Sequence, residues 1–309
     1  MSDIAVALGG GGMKGIAHLG VIKKLEEEGF RIRAIAGTSA GGVVGACFAA
    51  GIPIKKIRSA LINLPHKDFF SRQPHDSPSL LGLSGLVEIL AKYFDNKTFE
   101  DLQIPFAVTS VDLKTNQEYI LHKGKILDAV QATAAIPGVF PAIRMGHTEL
   151  VDGGVLDPVP VAVARWLAPK LPIIAVCLSP VPEEWSTLPE FQPPSDTPIP
   201  QQLLDQLARM RVGQSVRIFI QAMDITSRMI AELRMNTEKP DVTIRPDVHH
   251  VGYLDRVNPD ELIKAGEMAV TEMLPRIRES LAWYHQLTRQ FHSAQPPGKL
   301  LDEEDAFSI

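Results

Sequence analysis

Residues 4–15 read Ile4-Ala5-Val6-Ala7-Leu8-Gly9-Gly10-Gly11-Gly12-Met13-Lys14-Gly15, and residues 32–41 read Ile32-Arg33-Ala34-Ile35-Ala36-Gly37-Thr38-Ser39-Ala40-Gly41. The first is a continuous apolar run that stops at a glycine cluster, the pattern of a strand buried on both faces of a parallel sheet. Between the two stretches, Ile16, Leu19, Ile22 and Leu25 recur at helical spacing and Gly29 follows as a stop signal. Ile32 to Ala36 makes a second short strand, and Gly37 to Ser39 a turn into a second helix. Strand, helix, strand and helix in close succession predict a mainly parallel sheet with helices on its faces.

Working outward, further strands fit residues 106–111, 118–121, 172–178 and 242–244, and helices fit 86–94, 126–134 and 161–167. Residues 180–200 hold seven prolines and read as a loop or linker. Beyond it, 201–236 reads as one long or broken helix, and a further helix runs from Pro259 towards Phe291 with a bend at Pro275. The expected organisation is a catalytic core over 1–180, a proline-rich linker over 181–200, a helical extension over 201–295 that completes or covers the core, and a disordered tail over 296–309.

Composition narrows the class. Of 309 residues, 45% are apolar and 22% charged, enough to bury a sizeable core. Thirty-one basic against 36 acidic residues give a net charge of −5, which argues against a nucleic-acid binder. Cys47 and Cys177 lie in apolar runs and read as small buried hydrophobes, so a disulfide scaffold is excluded. Residues 34–54 carry no charge and are long enough to span a bilayer. Their glycines and Pro53 instead fit a strand, a turn and a buried small-residue helix. The N-terminal MSDIAVALGG lacks a basic segment and a long apolar stretch, so a cytoplasmic, reducing setting is expected.

Three features carry chemistry. Gly37-Thr38-Ser39-Ala40-Gly41 matches G-x-S-x-G, in which a serine sits on a sharp strand-to-helix turn that exposes its oxygen. The loop Gly9 to Gly15 opens a helix, where backbone N–H groups and the helix dipole favour an anion. Gly10, Gly12 and Gly15 also satisfy the dinucleotide fingerprint, but that fingerprint needs a carboxylate at the end of the second strand. Here that strand ends in Ala36-Gly37-Thr38-Ser39, which favours an oxyanion hole over a nucleotide site. The third feature is Val151-Asp152-Gly153-Gly154. A carboxylate ending an apolar segment is placed like a catalytic group, although an isolated Asp-Gly is more often a turn.

GGGGMKG, GTSAG and DGG in this order resemble the patatin-like phospholipase family, including the bacterial relatives of neuropathy target esterase. The segment Ala132-Thr133-Ala134-Ala135-Ile136-Pro137, with Phe140-Pro141 after it, is similar to that family's proline-containing block, and the resemblance spans about residues 4–160. It implies a three-layer α/β/α fold and a catalytic dyad of Ser39 as nucleophile and Asp152 as base. It also implies an oxyanion hole formed by Gly10, Gly11, Gly12, Met13, Lys14 and Gly15, with Gly37, Gly41, Gly153 and Gly154 supporting the elbow and the aspartate. The implied activity is hydrolysis of lipid or lysophospholipid esters without metal or organic cofactor. A regulatory protein with little turnover and an acyltransferase remain alternatives.

None of the nine histidines sits in a triad-like motif. His18 reads as a structural contact, and His249-His250 falls where a hydrolase histidine would come in chain order, so it stays the rival base. Met210, Met223, Met229 and Met235 read as core filler or as an adaptable wall for an acyl chain. Lys55, Lys56, Arg58, Lys67 and Arg72 lie beside Phe69 and Phe70, and residues 79–86 mix leucine with glycine. A solvated helix face competes there with weak peripheral membrane contact and a mobile apolar flap.

Overall fold

The computed structural model describes residues 1–63, 79, 81–187, 211–282 and 295–301. Nine strands form one mixed sheet: β1 Ser2–Leu8, β2 Phe30–Gly37, β3 Phe106–Asp112, β4 Gln117–Leu121, β5 Ile143–Met145, β6 Thr148–Asp152, β7 Ile173–Val176, β8 Val242–Ile244 and β9 Lys299–Leu300. The main path runs β5-β6-β3-β2-β1-β7-β8, with β4 on β3 and β9 on β4. β1 pairs in parallel with β2 and β7, β2 with β3, β7 with β8, and β4 with β9. β3 is antiparallel to both β4 and β6, and β5–β6 is a hairpin.

The alternation along β1 explains the layers. Ile4, Val6 and Leu8 enter one core, together with the inward faces of α1 Ala17–Glu27, α2 Ala40–Ala49, α4 Ser84–Phe94, α5 Ile126–Thr133 and α8 Pro259–Ser280. Ala5 and Ala7 enter the opposite core with Ala34, Ala36, Ala107 and Ala175. That second face is small, so α6 Val161–Leu167 and α7 Arg211–Glu238 approach the sheet closely through Val161, Ala164 and Ala231. The remaining helix, α3 Ile54–Asn63, follows α2. On the bulky side α1 and α8 cross at their glycines: a Cβ on Gly20 would run into the Ile263 carbonyl, and one on Gly266 into that of Ala17.

Some expectations hold and others change. The uncharged stretch over 34–54 is the end of β2, a turn and α2, and no helix among the described residues is long and apolar enough to cross a membrane. The β5–β6 hairpin that carries Asp152 was not anticipated, because Arg144 and Glu149 interrupt its apolar pattern. Residues 299–300, assigned above to a disordered tail, form β9 and pair with Tyr119 and Ile120, while 302–309 lie outside the described residues. Of the proline-rich linker, Pro182–Thr187 forms a 3-10 helix and 188–200 lies outside the described residues. Leu81, Leu83 and Leu86 are buried rather than set in a surface flap, and Leu81 N–H donates to the Val139 carbonyl at 2.8 Å.

Candidate active site

Ser39 sits between the end of β2 and the start of α2 with φ 53° and ψ −123°, a left-handed conformation that a side chain rarely adopts. The surroundings hold it there. Its N–H donates to Thr133 Oγ1 at 2.9 Å. Thr38 Oγ1 donates to the Asp157 carbonyl at 2.8 Å, so its 2.7 Å contact with Thr109 Oγ1 is accepted from the Thr109 hydroxyl. Gly41 is required on steric grounds, since any Cβ would strike the Leu8 carbonyl as α2 turns back over β1. The serine is only 6% exposed, yet it lines two clefts.

Asp152 ends β6, opposite Ser110 of β3, and its N–H donates to the Ala135 carbonyl at 2.9 Å. Its carboxylate accepts the Gly154 N–H at 2.7 Å and shares a cleft with Ser39. Burial pushes its pKa up from 3.8 to about 6, against the opposing pull of the Ser39 hydroxyl and the Gly154 N–H. A carboxylate titrating there is ionised at neutral pH and basic enough to take a proton.

The glycine loop follows β1. Gly9 N–H donates to the Val176 carbonyl at 2.9 Å and Gly10 N–H to the Pro158 carbonyl at 2.9 Å. Met13 N–H donates to the Tyr253 carbonyl at 2.9 Å and Lys14 N–H to the Gly11 carbonyl at 3.3 Å. Gly10, Met13 and Lys14, expected as oxyanion donors, therefore have their amides engaged. The N–H groups of Gly11 and Gly12 have no partner among the described residues. Gly12 adopts φ +58° and faces the Tyr253 carbonyl, so a side chain is excluded twice over. Gly15 lies inside the 3-10 turn Gly12–Ile16, packed on Ala40. Lys14 Nζ stands 5.2 Å from the centre of the Tyr253 ring, and burial lowers its pKa to about 8.

His18, fully buried on α1, has Nε2 2.8 Å from the Gly9 carbonyl, and burial lowers its pKa to about 4, so the ring is neutral and donates. It braces the loop from behind. His249 pairs with Asp247 at 2.9 Å, and neither it nor His250 lines a cleft containing Ser39. Burial raises the Cys47 thiol to about 12, which leaves it protonated.

The two clefts meet at Ser39, Ile136, Tyr253 and Leu254. One, of about 920 Å³ and open to solvent, holds Asp152, Gly10 and Gly11. Its far wall is α7, which presents Ile220, Met223, Asp224, Ser227 and Ala231 at helical spacing. Asp224 accepts from Tyr253 OH at 2.6 Å and pairs with Arg228, fixing that wall. The other, of about 760 Å³, is lined by apolar side chains apart from Ser39 and the Tyr253 hydroxyl. Sequence reasoning quoted Thr133 within the proline-containing block without giving it a role, and it missed Tyr253 and Asp224, which act across long separations with no fixed spacing to the motifs. Among the methionines, Met223 lines a cleft, Met235 is core, Met229 is 47% exposed and Met210 lies outside the described residues. Of the basic segment, Lys55 and Lys56 are exposed on α3, Arg58 is tied to Asp260 by two 2.5 Å bonds, and Lys67 to Arg72 lie outside the described residues.

Comparison with known proteins agrees with the motifs. A family model described as patatin-like phospholipase matches residues 6–165. An NTE family protein of Mycobacterium tuberculosis is 36% identical over 162 residues, 52% of this chain and 44% of the relative. A second from the same organism is 29% identical over 290 residues, covering 88% and 46%. Lysophospholipase NTE1 of Pyricularia oryzae is 25% identical over 296 residues, 90% of this chain and 19% of its own length. The chain thus spans less than half the length of these relatives.

Proposed function

Because the chain belongs to the patatin-like phospholipase family, we propose that it is a serine acyl-ester hydrolase of the lysophospholipase type, working through a Ser39–Asp152 dyad. The observation that carries this reading is that Ser39 and the buried Asp152 carboxylate line the same cleft, the serine hydroxyl helping to hold the Asp152 pKa down, with no histidine lining either cleft among the described residues. Asp152 takes the hydroxyl proton as Ser39 Oγ attacks the ester carbonyl carbon. The tetrahedral oxyanion accepts from the N–H groups of Gly11 and Gly12, whose positions at the start of a helix add its positive end. Protonated Asp152 gives its proton to the leaving alcohol oxygen as the C–O bond breaks, which leaves an acyl-serine. Water then enters, loses a proton to Asp152 and attacks the acyl carbon. Ser39 departs with that proton, and the fatty acid is released.

Hydrolysis of a short p-nitrophenyl ester by single variants tests the assignment. Ser39→Ala and Asp152→Asn should each lose at least a thousandfold in kcat/KM while keeping the wild-type circular dichroism. Full activity in pure Ser39→Ala protein would remove Ser39 from the nucleophile role.

A further inference from the structure

The two clefts differ in what they hold. Asp152 lines one and is absent from the walls of the other. If Asp152 returns the Ser39 proton to the leaving oxygen, that oxygen has to lie on the Asp152 side of the serine. The acyl carbon is bonded to Ser39 at the same moment, so the acyl chain leaves the serine in the opposite direction. That direction is the cleft lined by Val43, Val44, Cys47, Ile57, Leu83 and Leu86, which has no charged side chain among the described residues. The Asp152 cleft instead offers Ser179, Asp224 and Ser227 to the alcohol.

We infer that the ester lies across Ser39 with its acyl chain running along α2 in the apolar cleft and its leaving alcohol in the Asp152 cleft, which makes α2 the ruler for chain length. This rests on the dyad proposed above and adds the orientation of the substrate and the residues that select it. Ala40, Val43, Val44 and Cys47 follow one face of α2. With a rise of about 1.5 Å per residue, Val43 lies roughly 6 Å and Cys47 roughly 12 Å beyond Ser39 along the helix axis. An extended alkyl chain of ~1.52 Å tetrahedral C–C bonds advances about 1.25 Å per carbon. Val43 therefore stands beside about the fifth carbon and Cys47 beside about the tenth. The substrates this selects are esters of one medium or long unbranched acyl chain with a polar alcohol.

The test is the chain-length profile of kcat/KM over p-nitrophenyl esters of two to sixteen carbons, with the residual rate of Ser39→Ala subtracted. Val43 is half-buried beside the cleft, so Val43→Phe adds bulk into open space. It should lower the ratio of dodecanoyl to butanoyl kcat/KM at least tenfold, with the fall beginning near six carbons. Cys47→Phe should produce the same fall beginning near ten carbons, and melting temperatures report whether the buried site tolerates it. Met223→Trp, across the serine in the Asp152 cleft, should leave that ratio within twofold. A Val43→Phe profile matching wild type overturns the inference, and so does a chain-length limit that appears in Met223→Trp instead. Full hydrolysis by Ser39→Ala is a different outcome, which removes the dyad and the orientation argued from it.

Discussion

In the proposed mechanism, Asp152 is the base whose protonation makes the reaction depend on pH. Its folded pKa of about 6 lies above the ordinary 3.8, so folding takes up a proton between those values. Stability contributed by this group therefore falls as pH rises through that window, and the cost is complete above pH 6. At 1.36 kcal/mol per pH unit, the charged carboxylate costs roughly 3 kcal/mol in the folded protein at neutral pH. Two results are expected. kcat/KM on a soluble ester should fall tenfold per unit below an apparent pKa near 6, as the base is protonated. Asp152→Asn should melt higher than wild type at pH 8, and the advantage should vanish towards pH 4. A melting advantage that is equal at both pH values would mean that the ionised carboxylate is not the destabilising element. Ser39 adds a second local cost, about 1–3 kcal/mol for its positive φ. The bond that Thr133 accepts from the Ser39 N–H, and those from Thr109 to Thr38 and from Thr38 to the Asp157 carbonyl, hold that conformation.

At the scale of elements, α7 is the wall that sequence could only partly describe. Its helical character was legible, but its inner face mixes Ile220 and Met223 with Asp224 and Ser227, so no apolar stripe marked it as part of the site. One of the side chains that hold it down makes three ion pairs. Arg234 reaches Glu118 of β4 at 3.0 Å, Asp157 beyond β6 at 3.1 Å and Glu238 at 2.8 Å. Asp157 is fully buried, and burial with the Glu118 charge pushes its carboxyl well up. Removing the guanidinium strands a buried carboxyl group, a change that typically costs 3–5 kcal/mol. Arg234→Met should therefore lower the unfolding free energy by about 3 kcal/mol, with a matching drop in denaturation midpoint, whereas Arg33→Met, whose guanidinium is 57% exposed, should cost less than about 1 kcal/mol. Equal midpoints for the two variants would show that the cluster does not anchor α7. The elbow and the glycine loop, by contrast, were readable from sequence because both are local. Their spacing is fixed by a single turn, and the glycines stand where backbone atoms pass too close for a side chain.

At the scale of the whole molecule, the sheet order joins residues far apart in the chain. β3 lies between β2, which leads into Ser39, and β6, which ends in Asp152. β1, on the other side of β2, delivers the glycine loop to the same end. The parallel part of this arrangement was legible in the apolar runs of β1 and β2. The reversal was not, because β6 arrives antiparallel through a short hairpin whose pattern is broken by charge. The C-terminal segment was legible as helices and as the short strand over 242–244, but not as the source of β9 or of a cleft wall. Its strands pair with partners far off in the chain, Val242 with Ile174 and Lys299 with Tyr119. The central claim, a serine activated by a carboxylate without a histidine, has one direct measurement: the rate of covalent labelling by a fluorophosphonate probe, with the adduct located by mass spectrometry. The account expects a single adduct on Ser39, labelling slowed at least a hundredfold in Asp152→Asn, and wild-type labelling in the His249→Ala/His250→Ala double variant. An adduct on another residue, or a double histidine variant as slow as Asp152→Asn, would contradict it.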